Sequence, residues 1–154
     1  MTQNPADNAR KALTDSLNRL LADCFALYLK TKNFHWHVRG PNFRDLHLLF
    51  DEQAAAIFVL TDLVAERVRK NGASTLTSIG AIAEQSRIVD QNDASLSADA
   101  MIAELAQDNR TLVEAFREVK EAASVAGDNA TEGALDDWTD QAEQRIWFLT
   151  SLIA

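Results

Sequence analysis

The chain of 154 residues sets 23 Asp and Glu against 15 Lys and Arg, a formal charge of −8, and holds one cysteine, Cys24. That length suits a single domain with a proper core, and 47% hydrophobic with 25% charged residues is a globular composition without a disorder signature. One cysteine excludes a disulfide framework and a thiolate zinc cluster, no apolar run reaches the roughly 18 residues of a membrane span, and five glycines with two prolines punctuate too sparsely for an all-β fold.

Residues 1–8 read as a short flexible tail. A first helix is predicted from about Ala9–Leu13 to Val38, because Leu13, Leu17, Leu20, Leu21, Cys24, Leu27 and Tyr28 recur at three- and four-residue spacing. Gly40-Pro41 stops it, and Asn42 stands at the N-cap position of a second helix, about Phe43 to Lys70. Leu46, Leu49, Phe50, Ile57, Leu60, Leu63 and Val64 form its predicted core stripe, and Asn71-Gly72 ends it. From Ala73 to Leu96 the pattern is less regular, with a short helix predicted around Ile79, Ile82 and Ala83. A third long helix is predicted over Ala98 to Val125, closed by Gly127, and a fourth over Asn129 to Leu152, capped by Asp128. Two tight turns and one long crossover holding a short helix describe an all-α, ferritin-like four-helix bundle, with residues 1–154 as its single domain.

The charge is unevenly placed. Residues 1–89 carry 11 basic and 9 acidic side chains, and residues 90–154 carry 4 and 14, so the net charges are +2 and −10. A strongly acidic half repels phosphate backbones and attracts cations. The N-terminal segment lacks an apolar signal core, which points to the cytoplasm and away from the membrane.

All three histidines lie between His35 and His47. His35 precedes the Gly40-Pro41 turn by about as many residues as His47 follows it, so in an αα-hairpin the two imidazoles meet at one level. His37, about 200° around the helix from His35, faces elsewhere. On the second helix, His47 and Asp51 are spaced i,i+4, as are Asp62 and Glu66, and each pair projects from one face in a pattern suited to a shared cation. Such carboxylates also suit a solvated face. Asp62 and Glu66 repel each other, however, unless a cation or Arg67 sits nearby. Eleven residues separate Asp51 from Asp62, which is three turns with about 20° of drift but about 16 Å of rise. One chain therefore cannot close a single site.

Two chains can. With the second helix packed antiparallel on its copy across a two-fold axis, the crossing falls at Ala54-Ala55-Ala56, where small side chains permit close approach. His47 and Asp51 of one subunit then face Asp62 and Glu66 of the other, twice, and His35 completes each cluster from the first helix.

The stretch FHWHVRGPNFRDLHLLFDEQ, followed by D-x-x-x-E-R at Asp62–Arg67, resembles the Dps family, the miniferritins that protect DNA during starvation. The strongest match runs from about Asn33 to Arg67. The resemblance implies a hollow shell of twelve subunits, a homo-oligomeric dodecamer built from two-fold dimers, with an iron-oxidising site at each two-fold interface. His35, His47 and Asp51 would come from one subunit and Asp62 and Glu66 from its neighbour, with Trp36 beside the site. Ferritins that hold iron inside one bundle use Glu-x-x-His motifs, and this chain has none.

A carboxylate and imidazole donor set with open positions suits Fe(II), and carboxylates stabilise the Fe(III) product. The implied activity is that of a ferroxidase that stores ferric mineral, with hydrogen peroxide as the preferred oxidant. Asp128, Glu132, Asp136 and Asp137 cluster where family members line three-fold pores with acids, although acids at a helix start also answer the helix dipole. The alternative is a DNA-binding nucleoid protein acting by physical shielding. The sequence disfavours it, because the segment before the first helix offers only Arg10 and Lys11 against Asp7, so direct DNA binding is expected to be weak or absent.

Overall fold

The computed structural model describes residues 4–153. They form five helices, α1 (Pro5–His37), α2 (Phe43–Lys70), α3 (Ile79–Gln85), α4 (Ala98–Ala126) and α5 (Asn129–Ser151), and no strand occurs among the described residues. The long helices build the expected all-α bundle, with α3 inside the crossover from α2 to α4.

α1 begins earlier than its apolar pattern indicates. Pro5 occupies the first turn, where its missing N–H costs nothing, and the Asn4 side chain accepts from the Ala6 N–H at 3.0 Å. Residues 5–8, expected as part of a flexible tail, are thus helical, and residues 1–3 lie outside the described residues. The first core residue, Leu13, comes two turns later, so the start carries no amphipathic signal. Asn42 does sit at the N-cap of α2, but its side chain makes no capping bond. Asp128 caps α5 by accepting from the Thr131 N–H. Gly127 ends α4 in the left-handed region at φ 73°, a conformation glycine reaches without a Cβ clash.

α1 packs chiefly on α2, and α4 on α5. The two hairpins meet mainly through α1 and α4, whereas α2 and α5 barely touch. Leu13, Leu17, Leu20, Leu27, Phe34, Phe50, Ile57, Met101, Leu105, Leu112 and Phe116 are fully buried between them. Leu63, predicted in the core stripe of α2, is instead 43% exposed. It belongs to a second stripe on the opposite face.

Polar side chains strap the crossover along α1. The Asn18 Nδ2–H donates to the Ser74 carbonyl, and the Leu76 N–H donates to Asn18 Oδ1. Asp23, fully buried, accepts from the Arg87 backbone N–H at 2.6 Å and from Arg87 Nε at 2.9 Å. Lys30 donates to the Val89 carbonyl at 2.8 Å and pairs with Asp108 on α4 at 2.9 Å. Burial pushes the Asp108 carboxyl above its ordinary range, against the pull of Lys30. The irregular connection is held by polar and charged side chains that α1 presents to it.

Candidate metal centre

The tight turn between α1 and α2 sets His35 and His47 at one level, their rings stacked with centroids 3.9 Å apart and planes at 12°. Each Nδ1 lies against the other residue's backbone carbonyl, at 2.6 Å for His35 on His47 and 2.7 Å for His47 on His35. A carbonyl only accepts, so both Nδ1 atoms carry a proton and donate. In the neutral rings Nε2 keeps its lone pair, and the reciprocal bonds fix both ring orientations. This is the arrangement that orients histidine metal ligands. Phe43 also stacks on His47, with centroids 5.0 Å apart. His37 turns back onto its own helix, against the carbonyl and side chain of Asn33.

Asp51, one turn after His47, brings Oδ1 to 3.8 Å from His35 Nε2. The same oxygen accepts from Lys32 Nζ at 2.8 Å. Chiefly through this hydrogen bond, Lys32 holds the Asp51 carboxyl below its ordinary range. The ammonium also lies 5.9 Å from the ring centroid of Trp36, which is 57% exposed. Sequence reasoning missed Lys32, although its place one turn before His35 puts it on the same face of α1.

Asp62 and Glu66 are exposed on α2, about 16 Å further along the axis. Among the described residues, no three His, Cys, Asp or Glu side chains of the one chain come together as a metal site. Asp51, Asp62 and Glu66 do share an outward stripe with Leu48, Glu52, Ala55, Phe58, Val59 and Leu63, all exposed and recurring at helical spacing. Of the three alanines at the expected crossing, Ala54 faces the core and Ala55 faces outward.

The acids at the start of α5 differ in their partners. Asp128 accepts two hydrogen bonds from Arg67 Nη2 at 2.9 Å, one from Asn71 at 2.8 Å, and others from Thr131. Burial works to raise its carboxyl, but these donors outweigh it and hold the group far below the usual carboxylate range. Asp128 therefore ties the end of α2 to the start of α5. Asp136 pairs with Lys120, Asp137 accepts from Gln141 at 2.7 Å, and Glu132 is half-buried in the first turn.

No helix among the described residues is long and apolar enough to cross a membrane. Residues 14–154 match the ferritin-like domain family. A DNA protection during starvation protein of Brevibacillus brevis is 33% identical over 137 residues, covering 89% of this chain and 91% of its own. The Dps of Thermosynechococcus elongatus superposes with a TM-score of 0.94 at 26% identity, over 98% of this chain and 96% of that one. The Dps of Vibrio cholerae O1, described as a member of a broad superfamily of ferritin-like diiron-carboxylate proteins, gives 0.90 at 25% identity, over 96% and 92%.

Proposed function

Because this chain belongs to the Dps family of ferritin-like proteins, we propose that it is an iron-storing ferroxidase whose sites are shared between two subunits. The observation that carries this reading is the reciprocal His35–His47 pair beside Asp51, two oriented imidazoles and a carboxylate with too few donors to finish a site alone. Asp62 and Glu66 of a two-fold partner supply the missing oxygens, and the exposed apolar residues on the same stripe of α2 give that partner a surface to cover. Twelve such chains form the shell.

Fe(II) is the substrate. Two Fe(II) ions each give one electron to hydrogen peroxide, the O–O bond breaks, and the two oxygens leave as water after taking up two protons. The Fe(III) product hydrolyses to an oxyhydroxide, which the hollow shell stores. Consuming Fe(II) and peroxide together removes the pair that generates hydroxyl radicals, and DNA is spared without being tightly bound. Iron enters past the start of α5, where Glu132, Asp136 and Asp137 attract cations while Asp128 anchors the helix.

Anaerobic Fe(II) titration followed by peroxide, with a sizing measurement on the same sample, tests the proposal. The wild type is expected to bind and oxidise iron as a large assembly. Combined His47→Ala and Asp62→Ala substitution is expected to slow oxidation at least about tenfold. Wild-type initial rates in that variant would sink the assignment.

A further inference from the structure

Asn71 and Gly72, the one Asn-Gly pair in the sequence, close α2, and the helix end dictates both residues. Gly72 turns the chain at φ 83°, in the left-handed region. Its N–H donates to the Arg69 carbonyl at 3.0 Å, and the Ala73 N–H donates to the Val68 carbonyl at 3.3 Å. Asn71 has to be a donor, because its Nδ2 faces two acceptors, the Arg67 carbonyl at 2.9 Å and Asp128 Oδ2 at 2.8 Å. Asn before glycine is also the pair in which a backbone nitrogen most readily attacks the side-chain amide, since glycine has no Cβ to shield that nitrogen. Asn71 is half-buried and Gly72 exposed, so water reaches the pair. Two features hold the reaction back. The Asn71 amide is anchored on two acceptors, and its ψ of 8° points the Gly72 nitrogen away from the side chain. Ring closure therefore requires the last turn of α2 to open.

We propose that Asn71 is a deamidation site of this chain, closed while Asp128 holds its side chain and reactive when the end of α2 opens. In the open state the Gly72 nitrogen bonds to Asn71 Cγ and loses its proton, the Cγ–Nδ2 bond breaks, and ammonia leaves. Water then opens the succinimide. Breaking the Cγ–N bond gives aspartate, and breaking the backbone C–N bond gives isoaspartate. Neither product can close the clamp again. An ionised carboxylate donates to neither acceptor, and beside Asp128 it leaves the Arg67 guanidinium facing two negative charges. Isoaspartate also adds a methylene to the backbone at the turn. Deamidation thus releases the end of α2 from the start of α5 irreversibly.

The site does not depend on iron chemistry, and its test leaves iron out. The assembled protein is aged in mildly alkaline buffer, and peptide mass spectrometry follows the mass gain of deamidation at each asparagine. In the wild type, modification should accumulate at Asn71 ahead of the other asparagines. Asp128→Ala should speed it at least about tenfold, in proportion to the population of the open helix end. Asp128→Asn, which still offers Asn71 an acceptor, should speed it less. Asn71→Asp, a fixed copy of one product, should lower the unfolding midpoint at neutral pH by about 3–6 °C. Equal rates at Asn71 in wild type and both Asp128 variants would overturn the proposal, as would an unmodified Asn71 in a sample whose other asparagines have reacted.

Discussion

Lys32 on α1 and Asp51 on α2 form an ion pair at 2.8 Å on the one carboxylate oxygen that also lies 3.8 Å from His35 Nε2. An ammonium thus stands where a metal-binding carboxylate would offer its charge. It holds the Asp51 carboxyl below its ordinary range, and it competes with any divalent cation for the same oxygen.

The competition has a measurable sign. Lys32→Met is expected to tighten anaerobic Zn(II) or Co(II) binding about three- to tenfold near neutral pH, because an exposed pair of this kind contributes modestly. The gain should shrink as pH falls toward the ordinary carboxylate range, since Asp51 without its ammonium protonates sooner. Calorimetric titration across pH reads both effects, and an affinity unchanged at neutral pH would remove Lys32 from the site.

The proposed shared site makes oxidation depend on assembly. Val59 is 61% exposed on the outward stripe of α2 and ligates nothing. Val59→Lys would bury two unpaired ammonium groups across the proposed two-fold interface, and each such charge costs about 2–5 kcal/mol. Dimerisation is expected to weaken at least about a hundredfold by sedimentation, with iron oxidation falling in parallel. Retained oxidation in a dissociated sample would show that one chain suffices.

Asp128 combines a helix cap with an ion pair, and two substitutions separate them. Asp128→Asn keeps an N-cap acceptor and loses the charge opposite Arg67, for an expected cost of about 1 kcal/mol. Asp128→Ala loses both, for about 2–3 kcal/mol. The native carboxyl is depressed, so its stabilisation is fully present above the ordinary carboxylate pKa and is lost only as pH falls toward the depressed one. Denaturant midpoints for wild type and Asp128→Asn should therefore differ at neutral pH and converge only in strong acid.

The buried Asp23–Arg87 pair fastens the crossover to α1. Asp23→Asn is expected to destabilise the chain by about 1.5–3 kcal/mol, because it removes charge-assisted hydrogen bonds at a buried carboxylate while Arg87 keeps Glu118 as a counter-charge. Hydrogen exchange should report the loss first in residues 86–91. Uniform loosening of the whole bundle would argue against a local strap.

The four long helices were legible because apolar residues at three- and four-residue spacing encode both the helix and its buried face. His35, His47 and Asp51 were legible too, since a tight turn between two helices fixes which residues share a level. The start of α1 was not, because Pro5 and Asn4 act through capping bonds that leave no mark on hydrophobic periodicity. Leu63 was misplaced for a related reason. An apolar residue on an amphipathic helix reads the same whether its own core or another copy covers it.

The sequence by itself determined the helices, their order, and a spacing that places five potential ligands beyond the reach of one chain, because these follow from the fixed rise and rotation of an α-helix. Only the tertiary structure decided which charged groups meet. Lys32 with Asp51, Arg67 with Asp128, and Arg87 with Asp23 are contacts between distant segments. Electrostatic partnership depends on distance and burial in space, and neither is periodic along the chain.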